Sequence, residues 1–185
     1  MRYLTRQNSI LLLGAVIMAA IGYLAGTVGI HATSTPSFCT TCHEMRIVAE
    51  QGWMRSPHYQ NSIGIIATCK DCHIPPELLH MFWTKARDGT KDIMTHLFGE
   101  SEPVRMDWAH ISETARRKIV DSSCMTCHAN LTPKGAPIKK IIAHRAYLRM
   151  QGRKKCISCH TMEFHGKFKE YLFERNELYT QGGYR

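Results

Sequence analysis

The sequence has no charged side chain between Asn8 and Ile30 and no cysteine outside four closely spaced pairs. It also lacks low-complexity runs, and 44% of its residues are apolar, so disorder is excluded as its main character. Acidic side chains are scarce, 15 against 24 basic ones, which gives a formal net charge of +9. Eight cysteines in 185 residues argue against a conventional cytosolic enzyme and call for another compartment or a cofactor.

The uncharged segment predicts a single transmembrane helix. As a helix, the apolar run Ile10–Ile30 would span roughly 31 Å, about the hydrocarbon thickness of a bilayer. A cleaved signal peptide is the alternative, but its apolar core would be shorter, about 7–15 residues, and no A-x-A-like cleavage site follows. Arg2 and Arg6 precede the run, and the next basic residue is Arg46. The positive-inside rule therefore predicts a cytoplasmic N-terminus in the inner membrane and a periplasmic location for everything after the anchor.

The cysteines form four C-x-x-C pairs, and the residue after each pair identifies their chemistry. Two structural zinc ions, each held by four thiolates, are the alternative. A histidine follows every pair, and C-x-x-C-H is the attachment pattern of haem c, in which two thioethers fix the porphyrin and the histidine reaches the iron. The sequence predicts four covalent haems, on Cys39 and Cys42, Cys69 and Cys72, Cys124 and Cys127, Cys156 and Cys159, with His43, His73, His128 and His160 as proximal ligands.

Four haems change how charge and size are interpreted. Their eight propionates neutralise much of the basic excess, so no nucleic-acid partner is predicted. About 155 residues follow the anchor, roughly 39 per haem, which is too few for a generous side-chain core. We predict a mostly α protein: an anchor at 1–31, then a haem-packed domain of short helices and loops at 32–185, with little sheet.

The motif spacing indicates two pseudo-repeated dihaem halves, at about 32–100 and 101–170, followed by a tail at 171–185. His58 lies 11 residues before Cys69, and His144 lies 12 residues before Cys156. Because low-spin haems take a second axial ligand, these two histidines and His165 are the best distal candidates.

Five stretches of the sequence carry a family resemblance: F-C-T-T-C-H-E-M (38–45), S-P-H (56–58), C-K-D-C-H-I-P (69–75), K-A-R-D-G-T-K-D (85–92) and C-I-S-C-H-T-M-E-F-H (156–165). With these stretches and its anchor, the chain resembles the NapC/NirT/NrfH family of membrane-anchored multihaem quinol dehydrogenases, and most of all its NrfH branch. That branch implies Met45 as the axial ligand of the first haem, with His43 as the alternative. It also implies His165 as distal ligand on the third haem and His58 on the fourth.

The resemblance also implies a partner and a point of departure. An NrfH-type protein donates electrons to an ammonia-forming nitrite reductase, a periplasmic multihaem enzyme that supplies a lysine to the second haem. No histidine stands in that branch where His144 stands here, whereas NapC-type members have one nearby. The repeat assigns His144 to the second haem, which keeps open a NapC-type donor to a nitrate or other periplasmic reductase.

A predicted helix over 77–98 carries the candidate quinol site. Lys85 and Asp92 are two turns apart and so share a face. The resemblance places Lys85 beside the quinol pocket and Asp92 over the open face of the first haem. Quinol oxidation releases two electrons and two protons, so we expect Asp92 to accept a proton and Lys85 to hold a quinol oxygen. His96 is a candidate proton relay or an alternative ligand.

Two other functions remain open from the sequence. The chain could be an anchored electron carrier without quinol chemistry, or a quinone reductase that works in the opposite direction, since haem potentials depend on their surroundings. The substrate would be menaquinol or ubiquinol. Gly22 and Gly26 have the spacing of close-packed membrane helices, which is compatible with a homo-oligomer but is weak evidence for one.

Overall fold

The computed structural model describes residues 6–99, 102–103, 105–150, 152–160, 164–165, 168 and 171. Within these residues the chain is helical and contains no β-strand, which confirms the predicted fold class. The 171–185 tail lies outside the described residues except for Tyr171, and the two-fold repeat stays a prediction. The helices are α1 (Arg6–Ala32), α2 (Pro36–Cys39), α3 (His43–Gln51), α4 (Cys69–His73), α5 (Leu78–Phe98), α6 (Trp108–Lys118), α7 (Asp121–Met125) and α8 (Ile138–Arg149), with 3₁₀ turns at Trp53–Arg55 and Cys156–Ser158.

Helix α1 has the properties of a membrane anchor. It is 27 residues long, its mean hydropathy reaches 2.2 over 18 residues, and none of that window is buried against the rest of the protein. A helix of this length spans about 40 Å, enough to cross the hydrocarbon core and reach both interfaces. Only α1 meets these criteria in the described part of the chain.

Helix α5 meets α1 close to the end of the anchor. A Cβ added to Gly26 would lie 3.3 Å from the Phe82 ring, so the aromatic side chain packs directly on the glycine backbone. One turn further along α5, Nζ of Lys85 donates to the carbonyl oxygen of Thr33 at 2.5 Å. Both contacts lie within residues 82–85 of α5, which indicates that the two helices cross at this point. The first half of α5 is thereby fixed against the anchor.

The side-chain core is very small. Among the described residues, only Ala49, Trp53, Ile157 and Phe168 are buried hydrophobic residues. Nε1 of Trp53 donates to the Ala67 carbonyl at 2.7 Å, which ties the 3₁₀ turn to the segment that leads into α4. Since a domain of this size normally buries far more apolar surface, the small core supports the expectation that haem supplies the interior.

The four attachment motifs lie next to one another in chain order. Helix α2 contacts α4, α4 contacts α7, and α7 contacts the 3₁₀ turn that begins at Cys156. Each pair of cysteines therefore lies beside the next pair along the sequence.

Helix α4 begins with a capping box, in which the Asp71 carboxylate accepts from the backbone N–H and the hydroxyl of Thr68, each at 2.7 Å.

Candidate haem and quinol site

Three pairs of histidine rings face each other across the domain. Each pair joins one histidine of a C-x-x-C-H motif to one of the three candidate distal histidines. The ring centroids are 6.2 Å apart for His58 and His128, 6.0 Å for His73 and His165, and 6.1 Å for His144 and His160.

These separations fit two imidazoles on one iron. Imidazole binds a first-row metal at about 2.0–2.1 Å, so two rings on opposite sides of one ion have centroids about 6 Å apart. A low-spin haem c at such a motif would need two imidazoles, one from the C-x-x-C-H motif itself and one from another part of the chain. The residues present therefore fit haem at the second, third and fourth motifs.

The pairs differ from those that the repeat and the resemblance imply. His58 faces the third motif rather than the fourth, His144 faces the fourth rather than the second, and His165 faces the second rather than the third. His144 belongs to α8, which precedes the fourth motif, whereas His58 lies in a turn outside the helices. The two histidines therefore occupy different local structures despite their similar spacing from the following motif.

Burial favours the neutral, metal-binding form of the His73 and His165 imidazoles. Desolvation lowers the pKa of His73, and desolvation together with the neighbouring His73 lowers the pKa of His165 to about 4. Nδ1 of His144 is buried and has no hydrogen-bond partner. A metal ion binds imidazole in its neutral state, so the pair of His73 and His165 is suited to hold one at neutral pH.

The first motif has a different environment, centred on Glu44. This residue is only 6% exposed, and its Oε1 accepts from Nδ1 of His96 at 2.7 Å. Its second oxygen lies 3.7 Å from Nε2 of His43. Desolvation opposes ionisation, but hydrogen bonds from its own backbone and from His96, with the nearby His43, lower the pKa of Glu44. The Met45 side chain is 43% exposed at the beginning of α3.

The structure brings Lys85 and Asp92 to the first attachment motif. A hydrogen bond with Cys69 lowers the pKa of the Cys39 thiol to about 7 against the effect of burial. The nearby Lys85 lowers that pKa further, and the nearby Asp92 raises it. Desolvation lowers the pKa of Lys85, whose Nζ also lies 5.8 Å from the Phe38 ring centroid. Although Asp92 reaches solvent, desolvation and the neighbouring carboxylate of Asp88 raise the pKa of Asp92. A cation and a carboxyl group with a raised pKa therefore lie beside the first attachment motif, near the end of α1.

Sequence reasoning missed Glu44 and Asp121. Glu44 lies inside the quoted first motif, but only the fold shows that His96, 52 residues later, donates to it. Asp121 accepts from the Tyr147 hydroxyl at 2.6 Å and from the backbone N–H of Cys156 at 2.8 Å. It thus ties α7 to α8 and to the fourth motif. No pattern in the sequence distinguishes Asp121 from other carboxylates that begin a helix.

Replacing Asp121 with alanine is expected to destabilise the holoprotein by about 2 kcal/mol, because both hydrogen bonds to its carboxylate are lost. Desolvation raises the pKa of Asp121, but the bonds from Tyr147 and Cys156 outweigh it and lower that pKa. The contribution is therefore present at neutral pH and is lost as pH falls through the lowered pKa of the folded state. Thermal unfolding, followed by haem absorbance at neutral and at acidic pH, measures both effects. A loss of stability that does not shrink at acidic pH would contradict this assignment.

Comparison with known proteins identifies the family of the chain. The family model described as "NapC/NirT cytochrome c family, N-terminal region" matches residues 2–170. The cytochrome c-type protein NapC of Paracoccus pantotrophus is 32% identical over 181 residues, covering 86% of this chain and 72% of the relative. NapC of Escherichia coli (strain K12) is 30% identical over 169 residues, covering 84% and 82%. The cytochrome c-type protein TorC of the same strain is 30% identical over 163 residues, covering 77% and 40%.

A solved structure is also similar. It is described as the crystal structure of a cytochrome c nitrite reductase NrfHA complex bound to the HQNO inhibitor. One chain of it matches with a TM-score of 0.47 and 23% identity, covering 81% of this chain and 86% of that chain. The family match, which extends over nearly the whole sequence, establishes membership. The chain belongs to the NapC/NirT cytochrome c family: it is a membrane-anchored electron-transfer cytochrome with covalently bound haem c.

Proposed function

We propose that this protein oxidises a membrane quinol beside its first haem and passes the electrons through three further haems to a periplasmic reductase. The observation that carries the proposal is the position of Lys85 and Asp92, on one face of α5 and close to Cys39. Lys85 is also bonded to Thr33, the first residue after α1. A quinol that leaves the lipid would therefore meet a cation, a carboxyl group and an electron acceptor together.

The protein side chains would handle the protons. Oxidation of one quinol to quinone releases two electrons and two protons, and haem c supplies the one-electron acceptor. Asp92 in its ionised form accepts a hydroxyl proton, and its raised pKa brings it closer to the pKa range of an efficient base. Lys85 donates a hydrogen bond to a quinol oxygen and fixes the ring. His96 lies on the same helix as Asp92 and is hydrogen-bonded to Glu44. It provides the next proton-carrying group.

The ligand sets that we propose follow the ring pairs of the structure. The second haem would be held by His73 and His165, the third by His128 and His58, and the fourth by His160 and His144. Met45 stays the proposed axial ligand of the first haem, with His43 as the alternative. The ring contacts favour this pairing over the crossed assignment predicted from the repeat and the resemblance.

The pair of His73 and His165 bears on the identity of the reductase. The NrfH resemblance implies an ammonia-forming nitrite reductase that completes the second haem with its own lysine. Here His165 stands 6.0 Å from His73, centroid to centroid, so the chain itself offers both ligands. This favours a NapC-type donor, serving a nitrate or other periplasmic reductase that contributes no haem ligand. The N-terminus would lie in the cytoplasm and the haem domain in the periplasm.

Replacing Lys85 with methionine tests the quinol site. In proteoliposomes we expect the rate of haem reduction by a menaquinol analogue to fall by about tenfold or more, since a lost hydrogen bond from a charged donor is worth about 1.5–3 kcal/mol. Reduction by dithionite should be unchanged. The same replacement at Lys134, an exposed loop residue, is the matched control. Equal quinol rates in both variants would argue for an electron carrier without quinol chemistry.

A further inference from the structure

We propose that α5 is a second membrane contact, which lies in the outer interface of the bilayer with an apolar stripe against lipid. The stripe is defined as Leu79, Trp83, Ala86, Ile93, Met94 and Leu97. The proposal concerns the lipid surface alone and does not depend on quinol oxidation.

The stripe lies on one side of α5, opposite the face that packs on the protein. Leu79, Trp83, Ala86, Ile93 and Leu97 recur at intervals of three, four or seven residues, the spacing of one helix face, and Met94 precedes Leu97 by three. The opposite face carries the buried Thr84, the partly buried Asp88 and the carboxylate of Asp92. Leu79 is 83% exposed and Leu97 is 62% exposed, although they stand five turns apart. A row of exposed apolar side chains of this length, with Thr90 between its two halves, marks an interaction site.

The contact with α1 sets the depth of the first turns of α5, where the stripe begins with Leu79 and Trp83. The Phe82 ring packs on Gly26. Gly26 lies five residues before His31, which is the first residue after the apolar run. Five residues of helix correspond to about 7–8 Å along the anchor. The first turns of α5 therefore lie within the depth of roughly 5–10 Å at which the apolar face of an interfacial helix is buried. A water-soluble partner cannot reach this level, because the lipid that surrounds α1 occupies it.

The polar side chains beside the stripe suit a lipid headgroup region. Trp83 is exposed on the stripe, and its indole is typical of membrane interfaces. Lys91 is exposed on the flank of the stripe, where it can reach anionic phosphates. Continuity with the anchor, depth and flanking charge together identify the occupant as the outer leaflet rather than a second copy of the chain.

Lipid photolabelling of the full-length holoprotein in nanodiscs tests the proposal. The bilayer would contain phosphatidylethanolamine, phosphatidylglycerol and a phospholipid with a diazirine on its acyl chain, and tryptic peptides would be analysed by mass spectrometry. We expect lipid adducts on peptide 92–105, which carries Ile93 and Leu97. Peptide 141–145 of α8 is the internal control. Its Ile142 is 63% exposed, about as much as Ile93 at 60%, but the contacts with the anchor described above are made by α5.

Two variants sharpen the measurement. Leu97→Asp should reduce labelling of peptide 92–105 to the level of the α8 control peptide, whereas Ile142→Asp should leave it unchanged. An unaltered haem spectrum in both variants shows that they are folded. If Leu97→Asp does not fold, the contrast between the two wild-type peptides remains the test.

Three results would each overturn the proposal: lipid adducts confined to α1, equal labelling of α5 and α8, or cross-links from α5 to another protein in place of lipid adducts. A protein labelled on α5 but inactive with quinol would retain this inference and lose the proposed function.

Discussion

Replacement of Asp92 with asparagine is expected to lower the rate of quinol oxidation by about 10²–10⁴-fold, the usual contribution of a positioned general base. Asparagine keeps the shape of the side chain but cannot accept the hydroxyl proton. Because Asp92 lies outside the attachment motifs, all four haems should stay bound, and dithionite should reduce them as in the unaltered protein. Stopped-flow absorbance with a menaquinol analogue in proteoliposomes measures the rate directly.

The pH dependence gives this prediction a second readout. Desolvation and the nearby Asp88 raise the pKa of Asp92, so the group is protonated over a wider acidic range than an ordinary aspartate. The quinol oxidation rate should therefore rise with pH along a limb displaced above the usual range, and Asp92→Asn should remove that limb. Glu50→Gln, at an exposed carboxylate on α3, is the control. A limb that persists in Asp92→Asn would assign the base to another group.

Loss of the His165 imidazole is expected to open the second haem to carbon monoxide. With its distal ligand removed, the ferrous iron has a free coordination position, so the His165→Ala protein should bind one more carbon monoxide per chain than the unaltered protein. Absorbance titration measures the stoichiometry. His80→Ala, at an exposed histidine of α5 beside Glu77, is the control and should leave it unchanged.

A three-haem chain then identifies which iron His165 serves. When Cys69 and Cys72 are replaced by alanine, the second haem is absent, and adding His165→Ala should create no further binding site. If His165 belonged to the third haem, as the resemblance implies, the extra site would persist. Should that chain fail to fold, the chain without Cys124 and Cys127 gives the reciprocal result. There His165→Ala still opens a site, but His58→Ala does not.

The sequence carries the attachment chemistry because that chemistry is local. Each C-x-x-C-H motif contains its own cysteines and histidine within five residues, so neither packing nor topology is needed to recognise it. The anchor and α5 are equally local, since a long apolar run and a helical spacing of apolar residues specify them. Gly89 weakens the propensity of α5 in its middle, yet the helix continues through it, because contacts on both sides of that residue fix the backbone.

The distal histidines show what local reasoning cannot reach. Similar spacing before the following motif suggested equivalent roles for His58 and His144. His58 lies in a turn and contacts His128 of the third motif, whereas His144 lies in α8 and contacts His160 of the motif that follows it. The bond between Glu44 and His96 likewise joins residues 52 positions apart. Such contacts depend on how the motif helices pack, and the spacing of residues along the sequence does not predict that packing.

We expect four covalently bound haems to take the place of a side-chain core in this protein. Counting the haems in the purified protein tests this claim most directly. The ratio of haem to chain, from the pyridine haemochrome spectrum and the intact mass of the denatured chain, should be four, one for each C-x-x-C-H motif in the sequence. Because the thioether bonds are covalent, the haems should stay with the chain after denaturation. A chain without Soret absorption, or one that holds zinc in stoichiometric amount, would contradict the claim.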